Sequence, residues 1–203
     1  MAGTNGGNAS GRPSLLGRLF GRSGGRRDHR GELLAQLPKG ARGAEIGVWR
    51  GEFSRRILEI ARPAMLHLVD PWAFQPQFPD RLYGGKVAAG QSSMDDIFAD
   101  VVAAYGERPD VRIHRSTSAD FFATLGETLD WVYIDGDHST RAVLEDLDGS
   151  WAHVRSGGII CGDDFQWRDA DGSLAIKIAV DQFCNEQGCA CVLIGKQFLI
   201  TRP

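Results

Sequence analysis

Lysine is nearly missing from this chain. Only Lys39, Lys86, Lys177 and Lys196 occur in 203 residues, and the arginines are densest at the start of the chain. Residues 1–30 hold six arginines, eight glycines and a single acid, Asp28, a local charge of +5; with −3 overall, the rest of the chain carries −8. Neutralising the phosphates of a duplex takes clustered Lys and Arg, so an acidic body is expected to have no nucleic-acid partner. Long apolar runs are missing too. Nothing approaches the ~20 apolar residues that span a bilayer, and Leu15, Leu16, Leu19 and Phe20 are interrupted by Gly17 and Arg18, which leaves no secretory core. These absences predict a cytoplasmic protein without a membrane span. The cysteines, Cys161, Cys184, Cys189 and Cys191, form no CxxC pair, so they read as reduced, packed thiols rather than a zinc site. Internal repeats are also absent.

What is present divides the chain unevenly. Residues 1–30 are too rich in Gly, Ser and Arg to bury apolar area against the entropy of ordering them, which predicts a disordered tail. Its PSLLGRLFGR segment has the pattern of a short amphipathic helix suited to a membrane surface or a partner. Residues 31–203 are expected to form one domain. Apolar runs at 42–47, 65–70, 111–114, 129–135, 158–163, 190–194 and 197–201 alternate with helical periodicity at 52–61, 93–105, 119–125, 140–154 and 173–187. That alternation predicts an α/β domain with a doubly wound, mainly parallel sheet. Only Gly195 and Lys196 separate the last two strands, too few for a parallel crossover, so they form a hairpin and one strand runs antiparallel. The long 71–92 segment, with three prolines and Tyr83-Gly84-Gly85, follows a strand's carboxyl end, where α/β sheets bind ligands. Together with Gln91 and Met94 it reads as a lid.

The first chemical motif is Glu45-Ile46-Gly47-Val48-Trp49-Arg50-Gly51, running directly into a helix. Glycines at a strand-to-helix turn admit a ligand close to the backbone. It is not the GxGxxG of a pyrophosphate binder, and the acid ahead of Gly47 would repel phosphate and favour an ammonium. Asp70 closes the second strand, the place from which an acid accepts hydrogen bonds from ribose hydroxyls. An adenosine-like ligand that carries an ammonium and no phosphate follows.

On Glu45, Gly47, Gly51 and Asp70 the chain resembles the class I S-adenosylmethionine-dependent methyltransferases, over residues 42–201. The resemblance implies a Rossmann-like seven-stranded sheet of order 3-2-1-4-5-7-6, strand 7 antiparallel, with helices on both faces. It also implies S-adenosylmethionine as cofactor, its methionine portion over the glycine turn and its adenine near Ser116, Thr117 and Ser118. Trp49 and Trp72 follow the cofactor motifs directly and are candidates to pack on the adenine.

A second constellation lies downstream. Asp135-Gly136-Asp137-His138 and Asp163-Asp164 each close an apolar run, so Asp135, Asp163 and Asp164 are expected to converge. Carboxylates sharing a small volume need a cation or raised pKa values. Oxygen ligands select a hard divalent ion, most simply Mg2+. His138 is placed to accept a substrate hydroxyl's proton, with Asp135 as its catalytic companion and neighbour of the cofactor; Asp137 is an alternative to Asp135. These residues resemble the metal-dependent O-methyltransferases of the macrocin and mycinamicin sugar type. The catechol type differs, having lysine where His138 stands and Asn where Asp164 stands. The resemblance implies methyl transfer to a hydroxyl of a small molecule, a sugar or polyol, and a homodimer. Four rivals stand beside it: a metal-independent N- or C-methyltransferase, a non-catalytic S-adenosylmethionine-binding protein, an NAD-dependent oxidoreductase, against which the missing GxGxxG counts, and an Asp-based phosphotransferase or phosphatase, for which no phosphate-cradling loop is present.

Overall fold

The computed structural model describes residues 27–169 and 171–203. The expectation of disorder for residues 1–26 therefore lies outside the described residues. The body starts earlier than composition suggests, with helix α1 at His29–Leu34. Asp28 caps it, its Oδ1 accepting from the Gly31 amide at 3.1 Å, and Leu33 and Leu34 are fully buried.

From there the chain alternates β1 (Arg42–Ile46), α2 (Glu52–Ile60), β2 (Met65–Asp70), α3 (Gln91–Tyr105), β3 (Val111–Arg115), α4 (Ser118–Thr124), β4 (Leu129–Ile134), α5 (Thr140–His153), β5 (Val154–Gly162) and α6 (Ala175–Gln187). It ends on the hairpin of β6 (Cys191–Ile194) and β7 (Gln197–Thr201). The seven strands lie in the order β3-β2-β1-β4-β5-β7-β6, and β7 is antiparallel to both neighbours. One boundary differs in kind from the sequence reading. Val154 opens β5 opposite Leu129 instead of ending α5, because its side chain is buried and the pairing shifts register between Leu129 and Trp131.

Residues of alternate parity feed two cores. Ala44, Ile46, Val132, Ile134 and Ile160 pack beneath α4, α5 and α6 through Phe121, Phe122, Leu147 and Phe183. Leu66, Leu68, Trp131, Tyr133 and Cys161 face α1, α2 and α3 through Leu34, Ile57 and Met94. β1 and β4 are neighbours although two strands, β2 and β3, lie between them in sequence, so chain progression reverses between them. In an open α/β sheet such a reversal leaves a crevice at the strands' carboxyl ends. Among the described residues, no helix is long and apolar enough to cross a membrane.

His67 and His114, for which the sequence suggests no partner, stack on neighbouring strands, with His67 Nδ1 3.0 Å from His114 Nε2. Burial, and then the His114 charge, push His67 down to about 4 from its ordinary 6.5. Between those values the unfolded chain binds a proton that the folded chain does not, so this residue's contribution to stability is lost as pH falls from 6.5 toward 4. In urea titrations, the stability gap between wild type and His67→Gln should narrow by roughly 2–3 kcal/mol on passing from about pH 7 to about pH 4. A gap independent of pH would rule out a depressed His67.

Candidate active site

At the β1–β4 crevice the two strand ends meet almost without space. The Asp135 amide donates to the Ile46 carbonyl at 2.8 Å, and the Gly47 amide to the Val69 carbonyl at 2.9 Å. Gly47 has φ 89°, and a Cβ there would sit 2.2 Å from the Asp135 carbonyl oxygen. No other residue type satisfies both the backbone angle and that approach. Gly51, φ 74°, caps α2, and the Tyr105 hydroxyl donates to its carbonyl at 2.6 Å.

Asp70 fastens this turn from β2. Its Oδ2 accepts from the Val48 and Trp49 amides at 3.1 and 3.0 Å, and its Oδ1 from the Trp72 amide at 2.7 Å. Burial nonetheless pushes its pKa upward. Trp72 is fully buried against Phe98, with its indole N–H donating to the Trp49 carbonyl at 2.8 Å. Its side chain thus anchors the turn from behind, and of the two tryptophans it is Trp49 that lines the cavity. Trp49, Trp72 and Asp164 all have positive φ at this edge. Such backbone costs about 1–3 kcal/mol per residue and persists where surrounding contacts over-determine it.

The crevice opens into a cavity of about 870 Å3, within the range of small-molecule sites. Glu45, Gly47, Asp70, Ser118, Asp135, His138 and Asp164 all line it. From the loop after β3, Thr117 and Ser118 reach the cavity, whereas Ser116 is not among its lining residues. Glu45 is buried, accepts from the Ser54 hydroxyl at 2.5 Å, and is pushed up to about 8 by burial, with Asp135 and Asp70 adding repulsion. A buried carboxylate so placed favours a cationic group beside it.

Deeper in the site, Asp135, His138 and Asp164 offer ligand atoms that all lie within 4.8 Å of one another. Burial, then Asp163, raise Asp135 to about 7. Asp164 is likewise raised by burial and Asp163, while burial lowers His138, whose Nε2 is 3.7 Å from Asp164 Oδ2. Asp163, expected to join them, is otherwise engaged. Its Oδ1 accepts from Gln197 Nε2 at 2.5 Å and from the Asp164 amide at 2.7 Å, and Oδ2 forms an ion pair with Arg30. Asp137 is turned to its own helix, its Oδ1 accepting from the Ser139 amide at 2.7 Å.

Three site residues escape sequence reasoning. Arg30 lies in the segment read as tail. Arg81, within the long 71–92 loop, lines the cavity 3.9 Å from Asp137 and 3.5 Å from Asp169. Asp146 is buried on α5, hydrogen-bonded by Ser118, and pushed up to about 7 by burial. A signal for Asp146 did exist: it shares the apolar stripe of Val143, Leu147 and Ser150, where an acid is out of place.

A family model described as a methyltransferase domain matches residues 44–165. No curated protein matches the chain. Solved structures share the fold at low identity. The O-methyltransferase NovP aligns at 19% identity and TM-score 0.62, covering 86% of this chain and 79% of its own. The N-methyltransferase NodS of Bradyrhizobium japonicum aligns at 12% and 0.55, covering 84% and 92%. Fibrillarin of Aeropyrum pernix, with natively bound S-adenosyl-L-methionine, aligns at 14% and 0.53, covering 84% and 72%.

The turn's dependence on Asp70 is open to direct test. Asp70→Ala leaves the Val48 and Trp49 amides without their acceptor, and should lower stability by about 1–3 kcal/mol. That loss is expected as a lower urea midpoint at unchanged slope; an unmoved midpoint would show that solvent serves these amides equally well.

Proposed function

This chain belongs to the methyltransferase-domain family, and we propose that it transfers a methyl group from S-adenosylmethionine to a hydroxyl oxygen of a small molecule, a sugar or polyol, with a divalent cation bound at the acidic cluster. The observation that carries this reading is the convergence of Asp135, His138 and Asp164 on the wall of a cavity whose other wall is the Gly47 turn. The donor set suits a divalent ion: the carboxylates of Asp135 and Asp164, with the rest of the shell left to retained waters and the His138 imidazole free beside them. In addition, the buried Tyr133 hydroxyl has no hydrogen-bond partner among the described residues, and burial, then Asp163 and Asp135, hold its pKa high.

Asp135 and Asp164 would hold the ion, which supplies positive charge that lowers the pKa of an alcohol beside it. His138 then takes the proton. Its lowered pKa keeps the imidazole neutral near physiological pH, as a base must be, and the Trp167 ring, centroid 4.9 Å away, packs against it. As the hydroxyl's O–H bond gives its proton to His138, the oxygen forms a bond to the methyl carbon and the carbon–sulfur bond breaks, leaving a neutral thioether.

The remaining residues bind and orient. Glu45 offers its carboxylate to the ammonium of the cofactor's methionine portion, and Asp70 and Ser118 offer acceptors to its nucleoside portion. Much of the barrier falls to such alignment of the two reactants. Leu82 and Tyr83 line the cavity from the turn at Leu82–Lys86 and would help to exclude water when the acceptor is bound. Arg81 and Asp137 on the cavity wall offer a donor and an acceptor to a polyhydroxylated acceptor, and Asp169 pairs with Arg81 from outside the cavity lining.

Calorimetric titration of S-adenosylmethionine should give binding to wild type with Mg2+ and with a chelator. Asp135→Asn and Asp164→Asn should keep that binding, lose Mg2+ binding and lose at least 100-fold in turnover of sugar or polyol acceptors. His138→Ala should lose turnover by 100-fold or more while binding both ligands. Normal turnover in both Asp variants would eliminate the cation site, and absence of cofactor binding would eliminate methyl transfer.

A further inference from the structure

Arg30 is the cation that the acidic cluster already possesses. Its guanidinium forms an ion pair with Asp163 Oδ2, and the same Nη2 lies 3.7 Å from Asp135 Oδ2. The group stands over the Phe53 ring, 5.2 Å from its centroid. It is carried by a helix and not by a loose arm: Asp28 caps α1, and Leu33 and Leu34 are buried in the core. With Gln197 and the Asp164 amide on Oδ1, both oxygens of Asp163 are occupied by groups of this chain.

We propose that Arg30 is a positioning residue that withholds Asp163 from the divalent ion and thereby sets the affinity of the cation site. This inference rests on the reading of Asp135 and Asp164 as the ion's ligands. Two physical effects act in the same direction. A carboxylate held by a guanidinium must give up that pair before it can coordinate a metal. A guanidinium beside Asp135 also repels any second cation at that carboxylate. Arg30 therefore keeps the ion weakly held, on two carboxylates where sequence order offers three.

The consequence runs opposite to that of an ordinary structural residue. Removing a residue that merely supports the site loosens the site and weakens metal binding. Removing Arg30 lifts the repulsion and frees Asp163 Oδ2, so binding tightens.

The test uses the full chain and Mn2+ as probe, with free Mn2+ followed by electron paramagnetic resonance and the affinity confirmed by calorimetry. Arg30→Gln and Arg30→Met, the latter keeping an apolar stem over Phe53, should each bind Mn2+ at least tenfold more tightly than wild type. Arg30→Lys, which keeps the charge, should stay within about threefold. Adding Asp163→Asn to whichever of the first two variants folds should reduce the gain, leaving the part that comes from lifted repulsion at Asp135. Unchanged or weaker Mn2+ binding in the charge-removed variants overturns the proposal, as does a gain that Asp163→Asn leaves undiminished. S-adenosylmethionine affinity is measured on the same proteins. Cofactor binding without Mn2+ binding in any of them overturns both the cation site and the role of Arg30 and leaves methyl transfer standing, whereas loss of cofactor binding in wild type overturns methyl transfer itself.

Discussion

The contact on which the site depends is the abutment of β1 against β4 at their carboxyl ends. A single hydrogen bond, from the Asp135 amide to the Ile46 carbonyl, joins the two strand ends where chain progression through the sheet reverses. Gly47 can turn away there only because it has no side chain to strike the Asp135 carbonyl. Everything placed around the cavity follows from that junction. Asp70 reaches the turn from the next strand on one side, and the Asp163-Asp164 pair reaches Asp135 from the next strand on the other. A larger residue at 47 would separate the two halves of the site by moving the strands apart.

The junction also concentrates negative charge where little water reaches it. Glu45, Asp70, Asp135, Asp146 and Asp164 all titrate above their ordinary range, and in each case burial is the leading cause. Folding keeps them in place with backbone donors, hydroxyls and the guanidinium of Arg30, leaving an electrostatic preference for further positive charge. A sulfonium cofactor bearing an ammonium and a divalent ion both meet that preference. The same edge holds three of the non-glycine residues with positive φ, so charge crowding and backbone strain coincide. Their coincidence fits a surface shaped for binding, since neither feature stabilises the fold by itself.

The resemblance among the solved structures is one of fold. An O-methyltransferase, an N-methyltransferase and fibrillarin all superpose on this chain at under 20% identity. A common sheet therefore serves different acceptors, and the acceptor is decided by side chains mounted on the loops above it. Here His138, Arg81, Asp137 and Trp167 line the cavity above the sheet. They come from the ends of β4 and β5 and from the long segment after β2, the parts of the fold freest to vary in length and composition.

Local patterning was enough to read the strands, and the family resemblance supplied their order. Apolar runs between helical segments gave seven strands, Gly195-Lys196 forced the hairpin, and the glycine turn with Asp70 marked the crevice, because strand burial, turn geometry and close backbone approach are constraints on neighbouring residues. The carboxyl-end acids and His138 were legible for the same reason: a short polar group that closes an apolar strand must project from the sheet's edge. Tertiary structure alone decided how those groups divide their work. Only in three dimensions does α1 bring Arg30 to Asp163, β7 bring Gln197 to the same carboxylate, and Trp72 turn into the core while Trp49 faces the cavity. No local pattern encodes such pairings. Arg30 and Asp163 are far apart in sequence, and what joins them is the burial of the Asp163 carboxylate, which must find a partner wherever the fold supplies one, here a guanidinium that stays partly exposed.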